Sequence, residues 1–385
     1  MPAPLDSPCV LQVLPALASG GVERGTLEMA AALKAVGWRA IVASAGGPLV
    51  PALEALGATH VTLPLGSKNP LVIRRNAAAL EALMLQERVA IIHARSRAPA
   101  WSAWLAARRT GAHFLTTYHG TYNEDLPYKR AYNAIMARGE RVIAISQFIA
   151  RHIQERHGTD AQRIRIIHRG VDPQLFDPAA VTPERLEALR RQWKLPGDAK
   201  VVLLPARLTR WKGQAILVQA LARLPERVVA VMTGDGKPKY RQELLDLAGK
   251  LGLADRVRLV GHVADMPAAL MLADVVLHAS TDPEAFGRAV VEGMAMARPV
   301  LAADLGAPPE VIRHGQNGWL VPPGFPDVLA DAIGVVFALP EAERQLICQR
   351  ARETVLKHFT TAAMQQATLD TYWELLNPAA PAGAE

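Results

Sequence analysis

Two carboxylates and two cations are the residues of this chain best suited to chemistry on a charged substrate. Glu284 and Glu292 lie eight residues apart, and Arg207 and Lys212 precede them in the chain. Arginine supplies a fork of donors and lysine a compact charge, so together they suit a diphosphate. The carboxylates can accept hydrogen bonds from sugar hydroxyls. We predict from these four residues a site for a sugar joined to a diphosphate, with Arg210 as a more exposed neighbour.

The spacing of the carboxylates sets a length scale for this site. On one continuous helix Glu284 and Glu292 would lie about 12 Å apart along the axis. Because the preceding Ser-Thr-Asp-Pro is typical of loops, we place Glu284 just before a helix and Glu292 about two turns into it. A phosphate would lie over the amides of residues 286–288, where the helix dipole favours negative charge. Two solvated carboxylates are the ordinary alternative. The predicted donor contacts here include Ala285, Phe286 and Gly287.

Further candidates follow other predicted strands. Gly20 and Gly21 stand between the first strand and a helix over residues 24–36, where backbone can approach a phosphate closely. They lack the GxGxxG pattern, which argues against a nicotinamide dehydrogenase. Gly234 and the pair His262 and Val263 could form backbone walls for a nucleotide, and tight turns explain them equally well. His119 could orient a substrate, although most histidines have only structural partners.

Metal and redox chemistry have little support in the sequence. There is no Asp-x-Asp pair and no His/Cys cluster, and Asp282-x-Glu284 is the nearest approach to a carboxylate pair. We therefore expect fixed cations in place of a divalent ion, and no cofactor. Cys9 and Cys348 match no metal spacing, and they indicate a reducing compartment with inert thiols.

The formal net charge of +7 belongs to the first half of the chain. Basic clusters of this kind suit an anionic lipid surface or a phosphorylated acceptor, while a solvated basic face is the ordinary alternative. Nucleic acid is disfavoured because aromatic residues are only 5% of the chain and are not interleaved with the cations. With no signal peptide and no apolar run long enough for a membrane span, we expect a cytoplasmic protein that docks reversibly at the inner membrane face. The clusters are Arg74-Arg75, Arg95-Ser96-Arg97, Arg108-Arg109 and Lys129-Arg130.

Apolar runs that alternate with Ala- and Leu-rich segments predict two doubly wound α/β domains in tandem, with a cleft between them. Ligands of such sheets bind beyond the carboxyl ends of the strands. Residues 172–197, with a charged helix over 183–193, indicate a connection between the domains. Strands are predicted at residues 10–14, 40–44, 89–93, 114–118 and 142–145, and at 201–205, 228–232, 258–260, 275–278 and 300–302.

These residues together resemble glycosyltransferase family 4, retaining enzymes with two facing Rossmann-like domains known as the GT-B fold. The resemblance rests on Gly20-Gly21, Arg207, Lys212-Gly213, Gly234-Asp235-Gly236 and, above all, on the string EAFGRAVVEGMAMARPVLAADLGAPPEVIRHGQNGWLV. The sequence is also similar to bacterial lipopolysaccharide core and phosphatidylinositol mannosyl transferases. The resemblance implies an acceptor-binding domain over residues 1–178, joined by a returning helix at 358–377, and a nucleotide-sugar domain at 179–357. The composition of small residues predicts a disordered tail at 378–385.

The resemblance also implies a role for each site residue. Gly20 and Gly21 would approach the donor phosphates, Arg207 and Lys212 would bind the diphosphate, Glu284 the transferred sugar and Glu292 the ribose. His119 would position the donor sugar or the acceptor. Arg288 departs from an apolar residue and Ala297 from a glycine, and we expect neither to touch the proposed charges.

The implied reaction moves a sugar from a UDP-, GDP- or ADP-sugar to a glycan or lipid-linked acceptor, in the synthesis of cell-envelope polysaccharide or lipopolysaccharide. Two other classes stay open. A nucleotide-sugar epimerase or phosphorylase on the same fold would give an isomerised or phosphorolysed product. A non-catalytic sensor would bind a nucleotide-sugar without turnover.

Overall fold

The computed structural model of the chain describes residues 7–18 and 20–377. Contacts divide the chain into two compact units, Met1–His168 with Ala362–Glu385, and Arg169–Thr361. In the described part, no helix is both long and apolar enough to cross a membrane. The predicted tail at 378–385 lies outside the described residues.

The first unit is built on one parallel seven-stranded sheet, in the order β3-β2-β1-β4-β5-β6-β7. Short helical turns at Ala134–Ala137 and Ala161–Arg163 precede its last two strands. Its strands are β1 (Cys9–Val13), β2 (Arg39–Ser44), β3 (Thr59–Thr62), β4 (Val89–Ala94), β5 (His113–Tyr118), β6 (Arg141–Ala144) and β7 (Ile164–Ile166). The helices in its first segment, up to His168, are α1 (Gly21–Ala35), α2 (Val50–Ala55), α3 (Pro70–Gln86), α4 (Arg97–Thr110), α5 (Pro127–Asn133) and α6 (Gln147–His157).

The second unit repeats the design with a parallel six-stranded sheet, in the order β10-β9-β8-β11-β12-β13. Its strands are β8 (Lys200–Pro205), β9 (Val228–Thr233), β10 (Val257–Gly261), β11 (Val275–His278), β12 (Val300–Ala303) and β13 (Trp319–Val321). Its helices are α7 (Pro183–Gln192), α8 (Gln214–Leu221), α9 (Pro238–Lys250), α10 (Met266–Leu272), α11 (Arg288–Ala295), α12 (Pro308–Val311), α13 (Pro326–Ala338) and α14 (Glu341–His358). The last helix, α15 (Thr361–Leu376), lies mainly in the first unit.

Helix α15 is held to the first unit by its aromatic and acidic side chains. Tyr372 is fully buried, and its hydroxyl lies 2.8 Å from Nδ1 of His93 on β4. Its ring also stacks on Trp38 at 6.4 Å between centroids. Glu374 accepts hydrogen bonds from Arg141, the first residue of β6, and from Arg165 in the middle of β7. The end of the chain therefore completes the core formed by its beginning.

The predicted boundaries need correction in three places. The segment expected to connect the domains lies wholly in the second unit, where Arg185 of α7 forms a bidentate ion pair with Asp265. The unit boundary falls after His168 rather than residue 178, because Val171 pairs with Thr360 next to α14. The helix predicted from residue 358 is interrupted at that same bridge, so α14 ends at His358 and α15 begins at Thr361.

Helix α11 ends in a Schellman motif that contains a strained residue. The amide of Ala297 donates to the carbonyl of Met294 at 3.0 Å, and that of Arg298 to Gly293 at 3.1 Å. Ala297 has a φ of 49°, in the left-handed region where its Cβ crowds the backbone. This is the position at which glycine is the ordinary residue.

Replacing Ala297 with glycine should stabilise the second unit. Removing the Cβ relieves about 1–2 kcal/mol of left-handed strain, and the added freedom of the unfolded chain offsets about 0.5–1 kcal/mol of it. The expected gain is about 0.5–1 kcal/mol, measured by urea unfolding. The control Ala332→Gly, inside α13, should instead destabilise by up to about 1 kcal/mol. An Ala297→Gly variant no more stable than the parent chain would contradict this interpretation.

Candidate functional site

Each sheet reverses its strand order at one point, between β1 and β4 in the first unit and between β8 and β11 in the second. Ligands of open parallel sheets bind outside the carboxyl ends of the strands at this point. In the second unit, the segments that follow the two strands are residues 206–213 and 279–287. Lys212 and Glu284 lie on these segments, one on each.

Lys212 and Glu284 form an ion pair between their Nζ and Oε2 atoms. Their side chains are only 15% and 16% exposed, so the pair is largely removed from water. The same ammonium lies 4.2 Å from the ring centroid of Trp211. The sequence indicated both charges, but their direct contact is a finding of the structure. In this state Glu284 neutralises the cation that was expected to meet a diphosphate.

Two residues that sequence reasoning missed complete this cluster. His278, the last residue of β11, is 6% exposed, and its Nε2 lies 3.2 Å from Oε2 of Glu284. The hydroxyl of Ser280 lies 3.2 Å from the same nitrogen and donates to Glu284 at 3.4 Å. Nδ1 of His278 has no hydrogen-bond partner among the residues that the structure describes. The sequence could have indicated His278, because it lies at the carboxyl end of a predicted strand, as His119 does.

The surroundings of Glu284 keep it ionised. Burial by itself would raise the pKa of this carboxyl, but the hydrogen bond from His278 and the charge of Lys212 outweigh that effect. The net result lowers the pKa of Glu284 from 4.5 to about 2. A carboxylate of this kind accepts hydrogen bonds at neutral pH and does not donate a proton.

Two glycines bring the charged segments together. Gly213 has a φ of 76°, and a Cβ there would overlap the carbonyl oxygen of Ala279 beyond β11. Gly306 has a φ of 80°, and it pairs with the backbone of Glu284 as a short parallel bridge. The amide of Thr281 also donates to the carbonyl of Trp211 at 2.7 Å. The backbone therefore fixes the loops that follow β8, β11 and β12 against each other.

The two arginines after β8 differ from Lys212. Arg210 has a side chain that is 72% exposed and pairs with Glu243 at 2.7 Å, and its being the more exposed member stays a prediction. Arg207 is also exposed, and its guanidinium forms no hydrogen bond or ion pair within the described ranges. It lines a groove of about 660 Å³ together with Asp235, Lys237 and Tyr240. The predicted pair of cations is therefore one buried lysine and one exposed arginine.

The geometry predicted for Glu292 is wrong. Helix α11 begins only at Arg288, after Gly287 in the left-handed conformation with a φ of 84°, so residues 284–287 are not helical. Glu292 lies just over one turn into the helix rather than two, and the 12 Å estimate does not apply. Its Oε1 lies 3.3 Å from Nη2 of Arg288, which corrects the expectation that Arg288 leaves the proposed charges untouched. The side chain of Phe286 is buried, with its ring 6.2 Å from that of Phe359.

The loops after β9 and β10 lie against the loop after β8. Gly234 has a φ of 89°, its amide donates to the carbonyl of Gly261 at 2.6 Å, and a Cβ there would crowd the carbonyl of Ala206. His262 is exposed and Val263 is partly exposed. The structure thus gives Gly234 a packing reason to be glycine, and the donor contacts of these three residues stay predictions.

The other predicted residues belong to the first unit. Helix α1 begins at Gly21 rather than Arg24, and Gly20 caps it with its carbonyl accepting from the amide of Arg24 at 3.1 Å. His119 directly follows β5, as expected. The loop that contains His119 also contains Tyr122, and the guanidinium of Arg97 packs 4.2 Å above the centroid of the Tyr122 ring. The roles of Gly20, Gly21 and His119 stay predictions.

One member of the basic clusters is not on the surface. Arg95 is 5% exposed and donates to the side chain of Gln12 on β1 at 3.0 Å. Burial lowers its pKa, which is the opposite of what a docking cation needs. Both cysteines are buried free thiols, and burial raises the pKa of each to about 11. Within the described ranges, no group of three or more His, Cys, Asp or Glu side chains is placed to hold a metal ion.

Two Rossmann-like units with all-parallel sheets are the architecture of the GT-B fold, and charged residues lie at the switch point of the second unit. Sequence comparison agrees unit by unit. The family described as Glycosyltransferase Family 4 matches residues 19–175, and the family described as Glycosyl transferases group 1 matches residues 186–353. The chain belongs to glycosyltransferase family 4.

Individual relatives support this assignment. The chain is 30% identical over 306 residues to a D-inositol 3-phosphate glycosyltransferase of Xylanimonas cellulosilytica, covering 73% of this chain and 71% of that one. A solved glycosyltransferase from Rickettsia africae is 38% identical with a TM-score of 0.91, over 97% of this chain and all of that one. Anabaena HepE in complex with UDP-glucose is 27% identical with a TM-score of 0.83, over 95% and 99% of the two chains.

The lowered pKa of Glu284 predicts a pH-dependent contribution to stability. Because the folded pKa lies below the ordinary value, the contribution is present above about pH 4.5 and is lost as the pH falls to about 2. Between about pH 5 and pH 2, the free energy of unfolding of the parent chain should fall by on the order of 2 kcal/mol more than that of Glu284→Gln. Urea unfolding at each pH measures both. The exposed control Glu343→Gln should keep the parent slope. Equal slopes for Glu284→Gln and the parent would show that the carboxyl titrates normally.

Proposed function

We propose that this protein is a retaining glycosyltransferase that moves a sugar from a nucleotide-diphosphate donor to a hydroxyl of a glycan or lipid-linked acceptor. The observation that carries the proposal is the cluster of Lys212, Glu284, His278 and Ser280 at the switch point of the second sheet. A buried cation offers charge to a leaving diphosphate, and a carboxylate that stays ionised offers acceptors to sugar hydroxyls.

In this proposal Lys212 and Arg207 bind the diphosphate, Glu284 the transferred sugar and Glu292 the ribose. When the donor binds, a phosphate oxygen replaces Glu284 as the partner of Lys212. The carboxylate oxygens of Glu284 then accept hydrogen bonds from sugar hydroxyls. Glu292 contacts both Arg288 and, in this proposal, the ribose. Arg288 therefore lies beside the nucleotide part of the site. The amides at the start of α11, a helix of eight residues, add donors for phosphate oxygens.

The chemical step breaks the bond between the sugar carbon and the diphosphate oxygen while the acceptor hydroxyl attacks on the same face. Negative charge grows on the diphosphate, and fixed cations stabilise it without reorganising at the moment of reaction. The acceptor proton passes to a diphosphate oxygen as the new bond forms. Glu284 is ionised and takes no part as an acid. Because Lys212 and Arg207 supply the countercharge, we propose turnover without a divalent ion.

We propose a UDP-sugar as the donor, ahead of GDP- and ADP-sugars. The support is Anabaena HepE, whose structure contains UDP-glucose and which aligns over 95% of this chain. Products separate the rival functions. Free nucleotide with a glycosylated acceptor indicates transfer, an isomerised donor indicates an epimerase, a sugar phosphate indicates a phosphorylase, and binding without turnover indicates a sensor.

Lys212→Met should lower turnover of the donor by about 10²- to 10³-fold, by analogy with loss of one preorganised transition-state donor. The assay measures nucleotide release in the presence of EDTA, and proton NMR reads the anomeric configuration of the product. The matched control is Lys250→Met, an exposed lysine at the end of α9, which should keep parent activity. Unchanged turnover in Lys212→Met would contradict the assignment, and an inverted anomer would contradict retention.

We further propose that the acceptor carries phosphate or lies at an anionic membrane surface, in cell-envelope or lipopolysaccharide synthesis at the inner face of the cytoplasmic membrane. One relative supports a phosphorylated acceptor, since the Xylanimonas protein is named a D-inositol 3-phosphate glycosyltransferase. On the surface of α3, Arg74 and Arg75 are exposed and Leu71 is 72% exposed. Exposed cations beside an exposed apolar side chain suit an anionic bilayer surface.

The double substitution Arg74→Gln with Arg75→Gln should weaken binding to anionic vesicles. At about 1 kcal/mol per cation near the surface, removing two cations should weaken binding by about 30-fold, and the loss should shrink at high salt. Flotation with phosphatidylglycerol vesicles measures it. The control pair Lys250→Met and Arg350→Gln removes the same charge from the second unit. Failure of the parent chain to bind such vesicles at low salt would remove the membrane proposal.

A further inference from the structure

A basic groove of about 1060 Å³ opens in the first unit. Its walls come from α4, from α5 and the stretch that joins it to β6, and from the end of α6 with the connection to β7. Its lining includes one tryptophan and five charged side chains, of which only Arg130 belongs to a basic cluster named from the sequence. They are Trp104, Arg130, Arg138, Glu155, Arg156 and Arg163.

The groove lies at the opposite edge of the sheet from His119. Arg138 comes just before β6 begins at Arg141, and Arg163 just before β7 begins at Ile164. The amino ends of parallel strands share one edge, whereas His119 follows the carboxyl end of β5. Helix α6 runs between the two edges and is about 16 Å long. The groove therefore opens at the edge of the sheet opposite to the strand ends at which the fold binds substrates. Its lining residue His157 still contacts the β5 side, with Nε2 3.2 Å from the hydroxyl of Tyr118.

The charge of the groove is strongly positive. Its four arginines and single glutamate give a formal charge of +3. The carbonyl end of α6 also opens here and contributes a partial negative charge of about half an electron. Arg130 offsets it, because its Nε and Nη2 both donate to the carbonyl of Arg156, at 3.2 Å and 2.7 Å. The positive charge of the side chains is thus left to face an incoming anion.

The guanidinium groups are held in place yet keep unused donors. Arg163 donates through Nη2 to the carbonyls of Ala137 and Gly139, which leaves Nε and Nη1 without partners among the described residues. Arg138 lies over Trp104, 4.8 Å from the ring centroid, and contact with a ring face uses none of its N–H groups. Arginines fixed in this way lose little freedom when they bind an anion.

Helix capping alone does not account for the set. It explains Arg130 and Arg163, which satisfy carbonyls at the ends of helical segments. It does not explain Arg138, which caps nothing, or Arg156, whose side chain has a single loose contact with Glu124 at 3.6 Å. Four arginines around one cavity, two of them without a capping role, are typical of a site for a multiply charged anion.

We propose that this groove binds the phosphate group of a phosphomonoester or diphosphate, as a second anion site in addition to the donor site of the second unit. Arginine forks match phosphate oxygens in pairs. Trp104 offers an apolar wall for the part of the ligand that carries the phosphate. The phosphate could belong to a free metabolite or to a lipid headgroup, and the two sources differ in the experiment below.

The test uses the full chain with UDP at saturation, so that the donor site is occupied. Calorimetry measures binding of inorganic pyrophosphate to the parent chain, to Arg138→Gln with Arg156→Gln, and to a control pair, Arg151→Gln with Arg350→Gln. Arg151 is an exposed arginine of α6 outside the groove, and Arg350 lies in the second unit. In parallel, flotation compares neutral vesicles with vesicles that contain phosphatidic acid.

The groove variant should bind pyrophosphate at least about tenfold more weakly than the parent, and the control pair within about twofold of it. If the double variant fails to fold, Arg138→Gln alone, which removes no hydrogen bond, should still weaken binding severalfold. Groove-dependent binding only to phosphatidic acid vesicles would support the site with a lipid source. Absence of both interactions, or an equal loss in the control pair, would overturn it. Nucleotide release, measured alongside, reports on the donor site independently.

Discussion

The ion pair between Lys212 and Glu284 joins two residues 72 apart in the chain, one on the loop after β8 and one on the loop after β11. It exists because the parallel sheet reverses its order between β8 and β11, which brings the loops after these strands side by side. Removing such a pair from water costs free energy that its mutual attraction repays only in part. His278 and Ser280 supply the additional hydrogen bonds that make the burial tolerable. A buried charge pair at a switch point is thus better explained by function than by stability.

The backbone around this ion pair adopts conformations that only glycine tolerates well. Gly213, Gly287 and Gly306 all have positive φ values, and Gly213 and Gly306 also stand where a side chain would collide with neighbouring backbone. These glycines come from the loops after β8, β11 and β12, so three separate connections depend on residues without a Cβ. Ala297 is different, because it carries left-handed strain at the end of α11 without any contact to the charges. The glycines near the ion pair are therefore explained by the close approach of neighbouring backbone. At Ala297 the Schellman motif explains the left-handed backbone, and nothing in the structure explains alanine in place of glycine.

The strands that could be predicted are those with continuous apolar runs, because central strands of a parallel sheet are buried on both faces. The three missed strands, β3, β7 and β13, are short edge strands, and none of the four residues of β3, THVT, is buried. In the site, residue types and spacing indicated Lys212 and Glu284. Spacing could not show that Gly287 breaks the helix, because left-handed backbone depends on tertiary contacts. The Arg288–Glu292 pair was predictable, since side chains four apart on a helix are neighbours.

If Lys212 binds the diphosphate of a nucleotide donor, as we propose, its effect on affinity should depend on the second phosphate. The most direct measurement therefore compares ligands that differ only in that phosphate. Calorimetric affinities of UDP and UMP, for the parent chain and for Lys212→Met, isolate the contribution of the second phosphate. We expect the substitution to weaken UDP binding by about tenfold or more, as for loss of a charge-assisted hydrogen bond, and UMP binding much less. Equal losses for both ligands, or no loss for UDP, would contradict the account.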